Sequence, residues 1–155
     1  MKTLKIIFLT ILLSVIWSGI KAQEECNEMF FSKTITADFE SVTEKVIAEF
    51  KKVGFGVITE IDMDQALKEK LDNVNMKPYK ILGVCNPGFA YKSLQAESNI
   101  GVFLPCKVIV KQLDENKVEV VSSNPAMLMK MLDNKELDKL AKEVAEKMKT
   151  AIESI

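Results

Sequence analysis

No histidine and no arginine occur in the 155 residues, and the single tryptophan, Trp17, sits near the start. Without an imidazole there is no Ser-His-Asp or Cys-His machinery and no histidine metal ligand. Without a guanidinium, two-point clamping of carboxylates or phosphates is excluded, because every cationic side chain is a lysine point charge. Most hydrolase and nucleotide-binding chemistries are thereby removed. A long apolar run is also missing. The most hydrophobic stretch, Ile6 to Trp17, is 12 residues long, whereas spanning a bilayer takes about 20.

That short run has the layout of an export signal. Lys2 and Lys5 precede it, and small or polar Ser18, Gly19 and Ala22 follow it, which is the pattern of a cleavable secretory signal peptide. The expected division is a signal over residues 1–22 and one domain over residues 23–155, periplasmic or secreted after cleavage near Ala22. A lipid anchor is not expected, since Cys26 follows Gln23-Glu24-Glu25 rather than small residues. The 133 residues that remain are enough for one ordinary core without staples. With the three signal lysines gone, 18 lysines face 22 acids, a net charge of -4. A mildly acidic domain has no footprint for nucleic acid or anionic lipid, and no stable membrane insertion is expected after cleavage.

Along the chain, periodicity alternates between strand and helix. Met29 to Thr36 reads as a strand; Asp38 then caps a helix whose apolar stripe is Phe39, Val42, Val46, Ile47 and Phe50, ended by Gly54. Phe55 to Ile61 reads as a second strand. Asp62-Met63-Asp64-Gln65 has the form of a capping box opening a short helix through Leu71. Tyr79 to Val84 is a third strand running into the turn Cys85-Asn86-Pro87-Gly88, and a helix over about Phe89 to Glu97 follows. Ile100 to Leu113 and Lys117 to Val121, joined by Asp114-Glu115-Asn116, predict a hairpin. Asn124-Pro125 opens another helical stretch, and Lys135 to Ile155 is a long amphipathic helix.

This order predicts an α+β two-layer sandwich, with helices over one face of a largely antiparallel sheet. Ile100 to Val110 is apolar on both sides, which predicts a central strand or a second covered face. A partner subunit or a small apolar ligand would supply that cover.

Three runs carry a resemblance: Gly54-Phe55-Gly56-Val57-Ile58-Thr59-Glu60-Ile61-Asp62, Tyr79-Lys80-Ile81-Leu82-Gly83-Val84-Cys85-Asn86-Pro87, and Gly101-Val102-Phe103-Leu104-Pro105-Cys106. In this order and spacing the chain resembles the family called domain of unknown function 302, over almost all of the segment after the signal. The resemblance implies a fold of the TATA-box-binding-protein-like class, a homodimer, and no established reaction. It also marks Glu60, Asp62, Cys85, Asn86, Pro87, Pro105 and Cys106 as motif positions. The family pattern more often has Asp-Pro where this chain has Asn124-Pro125.

The candidate site centres on Cys85, Asn86, Pro87 and Cys106. Cys85 lies where a strand enters a helix start, a place where amides and the helix dipole can lower a thiol's pKa. The structural reading of Cys85 and Cys106 is as small buried packers. Outside the cytoplasm thiols tend to pair, so a disulfide between Cys85 and Cys106 is a further expectation, with Cys26 left over. Closing about 20 residues would add about 3 kcal/mol in the chain-entropy account.

Glu60 and Asp62 are secondary candidates, as paired carboxylates or a cation site, but the calcium-loop pattern fails for want of its glycine and closing glutamate. Capping by Asp62 with Glu60 solvated is the favoured account. Met127, Met129 and Met131 suggest Cu(I) ligands, yet on a helix Met127 and Met131 would share a face with Met129 turned away, a pattern that core packing explains. No cofactor, metal or catalytic group is therefore expected. The functional expectation is a homodimeric binding or structural module without catalysis. The alternative is a thiol-dependent redox or soft-metal-binding protein using Cys85 and Cys106.

Overall fold

The structure, a computed structural model, describes residues 29–155. The expected signal peptide, its cleavage point and Cys26 lie outside the described residues. The elements are β1 (Phe30–Ile35), α1 (Phe39–Lys52), β2 (Gly56–Asp62), α2 (Met63–Lys68), β3 (Tyr79–Cys85), α3 (Pro87–Ala96), β4 (Cys106–Asp114), β5 (Lys117–Ser123), α4 (Pro125–Met129) and α5 (Lys135–Ser154). Two 3-10 turns, Ser98–Phe103 and Lys130–Leu132, interrupt the helical regions.

The boundaries of α1 follow from its sequence. The Asp38 carboxylate accepts from the Ser41 amide at 2.9 Å and from the Ser41 hydroxyl at 2.5 Å, and these bonds hold its pKa below the usual value. At the other end Gly54 adopts φ of 90°, a conformation that costs glycine little. The Phe55 amide donates to the Phe50 carbonyl and the Gly54 amide to that of Lys51, so the last carbonyls are satisfied in a Schellman ending. The rings of Phe50 and Phe55 meet edge to face, with centroids 6.3 Å apart, which seals the turn with an apolar contact.

The sheet has five strands in the order β1-β5-β4-β3-β2, all neighbours antiparallel. The central place of β4 agrees with its two-sided apolar sequence. Pairing registers assign the faces. Phe31, Ser122, Val108 and Leu82 lie in one cross-strand row, and Val120 sits opposite Val110; all are buried beneath the helices. On the other face Ile61, Ile81, Ile109 and Val121 stand directly opposite one another across four strands. Ile61 is exposed there, as is Phe30 on the outer strand, and Ile58 is exposed at the bulge of β2.

Two apolar clusters result. The larger joins the helix-bearing sheet face to α1 and the C-terminal half of α5, through Val144, Met148 and Ile152. The smaller consists of Ile100, Met129, Leu137 and Ala141, with Ala96, Leu104 and Leu128 packed against it. The helix α5 supplies both.

Four expectations need correction. The apolar run from Ile100 to Leu113 is not one strand: Ser98–Phe103 coils into a 3-10 turn and β4 begins at Cys106. Pro105, with no amide to donate, stops the ladder there, and Ile100 is drawn into the smaller cluster. Asp62 makes no capping bond; its carboxylate pairs with Lys80 at 3.0 Å. The short helix ends at Lys68 rather than Leu71. The helix after β3 starts at Pro87 rather than Phe89, because proline suits a first helical position whose amide is unpaired anyway.

Candidate functional site

Cys85 and Cys106 are the last residue of β3 and the first of β4. Cys106 stands directly opposite Val84, so Cys85 is one residue out of register with it. Both are free thiols in the structure. They line one cavity of about 60 Å³, roofed by α3 through Phe89, Ala90 and Ser93 and closed from behind by α4 and α5. No charged side chain lines it.

Asn86 holds the site in shape. Its Oδ1 accepts from the amides of Gly88 and Phe89 at 3.0 and 3.1 Å, which caps α3, while its Nδ2 donates to the Gly54 carbonyl at 2.8 Å. One side chain therefore ties the end of α1, the end of β3 and the start of α3 together. Pro87 follows as the first helical residue and does not line the cavity.

On the opposite side, Pro105 packs on Gly83, and the Lys107 ammonium donates to the Pro105 carbonyl at 2.6 Å. The Leu104-Pro105 peptide bond is cis.

Burial pushes the Cys85 thiol up, and it pushes Cys106 further, to about 11, with the nearby Cys85 adding to the effect and Lys107 opposing it. At neutral pH both sulfurs are protonated, so they form apolar wall rather than thiolate nucleophiles. At Cys85 burial is the cause of the shift, and it acts upward, opposite to the lowering expected from a helix start.

Glu60 and Asp62 stand apart from this cavity. Both carboxylates reach Lys80, at 3.7 and 3.0 Å, and the bond that the Lys80 ammonium donates to Asp62 leads the causes that raise the Lys80 pKa. Their arrangement is an ion-pair cluster on β2 and β3. Among the described residues, no three histidine, cysteine or acidic side chains come together to hold a metal ion. The methionine run divides differently from expectation: Met129 is buried and lines the cavity, whereas Met131 is 70% exposed and Met127 sits beside the Lys130 ammonium. The helix ends at Met129, so the run does not form one continuous helical face.

The walls that sequence reasoning missed are Phe89, Ile100, Leu128, Leu137 and Leu140. Their apolar character is visible in the sequence, but their convergence depends on α3, α4 and α5 meeting at one end of the sheet.

Comparison with known proteins adds two findings. The family model described as Domain of unknown function DUF302 matches residues 31–155. Among solved structures the chain is similar to the crystal structure of the uncharacterized conserved protein DUF302 from Bacillus stearothermophilus. The two share 27% identity and a TM-score of 0.74, over 81% of this chain and 97% of that one. No curated protein matches the chain.

Proposed function

The chain belongs to the DUF302 family, and on that premise we propose that it is an exported homodimeric binding module, without catalysis, whose site is the cavity beneath α3. The supporting observation is the cavity itself: about 60 Å³ of space lined largely by apolar residues and by two cysteines whose thiols burial keeps protonated, with no charged residue in the lining. Protein interiors rarely leave such space unfilled, and an apolar cavity of this kind takes small apolar molecules. The occupant in this reading is a small apolar ligand, with Cys85 and Cys106 as wall and Asn86 as the tie that keeps the roof in place.

Export rests on the residue pattern of positions 1–22, and residues 23–155 form the working domain. Dimerisation has its support in the sheet face that bears no helices. Its row of Ile61, Ile81, Ile109 and Val121 offers a self-complementary apolar surface, and a second copy related by a two-fold axis would cover it. The second reading, a thiol-dependent redox or soft-metal-binding protein using Cys85 and Cys106, has one observation in its favour: both residues belong to the lining of the same cavity.

Xenon is a suitable probe, being apolar and small. Amide and methyl NMR shifts under xenon pressure should move at Phe89, Leu137 and Cys106, and Ala90→Leu, which fills the cavity from α3, should abolish the response. Absence of xenon-induced shifts in the wild-type protein would remove this reading.

A further inference from the structure

None of the ten residues of α3 is buried, whereas every other α-helix among the described residues buries at least one. The inner face of α3 explains the difference. Phe89, Ala90, Ser93 and Ala96 follow one another at helical spacing and share one side of the helix. The first three line the cavity, and Ala96 packs on the smaller cluster. Phe89 packs against the larger cluster, but after it every residue on this side is small. The space beneath α3 exists because these residues fill so little of it. For the same reason little apolar area holds the helix down beyond its first turn.

Two asparagines hold the ends. Asn86 caps the start and binds the Gly54 carbonyl at 2.8 Å, beside the Phe89 anchor. At the far end the Ala96 carbonyl is one of the last-turn acceptors that lack a partner within a helix, and the Asn134 Nδ2 donates to it at 3.2 Å. The Oδ1 of the same asparagine accepts from the amides of Glu136 and Leu137 at 3.0 and 3.2 Å, which caps α5. One side chain thus fastens the roof of the cavity to the helix behind it.

We propose that α3 is a lid, hinged at Asn86 and latched by the Asn134–Ala96 bond, which rises to admit apolar guests too large for the standing cavity. The proposal rests on the reading of this cavity as a binding site and names how its occupancy is controlled. The space of about 60 Å³ admits a single small guest, whereas benzene occupies cavities of about 150 Å³. The two ends of α3 are unequal. Lifting the near end breaks the Asn86 cap and the Gly54 tie, pulls Phe89 from the main core and drags on β3, which is paired on both sides. Lifting the far end breaks one hydrogen bond and frees Ala96, whose carbonyl then turns to water. The Ser98–Phe103 turn follows, because Leu94 of α3 lies beside Gly101; its one buried residue, Ile100, is the resistance to be overcome. A guest that requires the raised form binds more weakly than its contacts allow, in proportion to how seldom α3 is raised.

Asn134→Asp cuts the latch alone: it keeps an oxygen to cap α5 and loses the donor to Ala96. Xenon and benzene are the probes, the first small enough for the standing cavity and the second not, each followed by NMR shifts at Phe89 and Leu137 in the protein recovered after export. Benzene should bind Asn134→Asp about tenfold more tightly than wild type, the factor that loss of one hydrogen bond from the closed form supplies. Xenon affinity should be the same in both. Hydrogen exchange gives a second measure. In the variant, α3 amides should exchange about tenfold faster toward Ala96, while Gly88, Phe89 and the C-terminal half of α5 keep their wild-type rates. Equal benzene affinity in variant and wild type, benzene binding absent from both, or uniform acceleration along α3 overturns the lid. Xenon shifts that persist in those cases leave the cavity reading standing, whereas a wild-type protein without xenon shifts removes that reading and the lid with it.

Discussion

Replacing Gly83 by alanine places a methyl group between two neighbouring strands. Gly83 lies in the middle of β3 on the face away from the helices, opposite Thr59 on β2 and Lys107 on β4. A Cβ built there comes within 2.1 Å of the Thr59 hydroxyl and 2.6 Å of the Pro105 ring. Rotating Thr59 about χ1 relieves the first clash at a cost of about 1 kcal/mol, since the side chain is β-branched and stiff. The Pro105 ring has no comparable freedom, because it is fixed in the chain leading into β4. Forcing a methyl group into such a contact costs about 1–3 kcal/mol. The backbone at Gly83 is not left-handed, so the change also gains about 0.4–1 kcal/mol by restricting the unfolded chain. The balance is a loss of about 1–3.5 kcal/mol, centred on about 2 kcal/mol. Urea unfolding followed by circular dichroism should therefore show the midpoint of Gly83→Ala lower by about 1 M, with unchanged slope. Adding Thr59→Ala should restore part of the loss, because that partner no longer resists. A midpoint equal to or above wild type would refute the argument that β2 and Pro105 pinch β3.

Three other outcomes are expected. The Cys106 thiol is held up to about 11 against an ordinary 9.0, so its share of stability is full below pH 9.0 and is lost as pH rises toward about 11. Denaturation curves across that range should show a decline on the order of 3 kcal/mol that Cys106→Ala lacks; an identical decline in the variant would dismiss Cys106 as its source. Asn86→Ala removes a helix cap and the tie to Gly54, and should lower stability by about 2 kcal/mol in thermal or urea unfolding, whereas a change near zero would show that water replaces both. Ile109→Lys in the centre of the apolar row should give a folded monomer in sedimentation experiments that find a wild-type dimer. A variant dimer of equal strength would move the interface elsewhere.

Much of the fold could be read because single stretches specified single elements. The stripes of α1 and α5, the left-handed Gly54 after Phe50 and the two-sided apolar character of β4 are local patterns with one physical solution each. Ser98–Phe103 was illegible for the opposite reason. A short apolar run suits a buried strand or a buried turn equally, and only the contact of Ile100 with Met129 and Leu137 decides between them. Asp62 had the residues of a cap, but Lys80 on the adjacent strand offered its carboxylate a stronger charged partner. The sequence motifs marked Cys85 and Cys106 as site residues. Neither their shared cavity nor their raised pKa values could be read without the β3–β4 register and the roof that α3 provides.

The helix α5 runs through both apolar clusters, with Leu137 and Ala141 in the smaller and Val144 to Ile152 in the larger. A rod anchored deeply at one end and lightly at the other does not detach all at once. Its first turns can fray together with the Ser98–Phe103 turn while the half against the sheet stays docked, since small clusters open at lower free energy than the main core. The cavity lies along this boundary, walled by Leu137 and Ala141 as well as Val144. Entry of a guest is then a matter of how often the lesser cluster opens, and the exchange rates of α5 amides should rise from its C-terminal half to its N-terminal one. The frequency of that opening is set by how tightly Ile100, Met129, Leu137 and Ala141 hold one another.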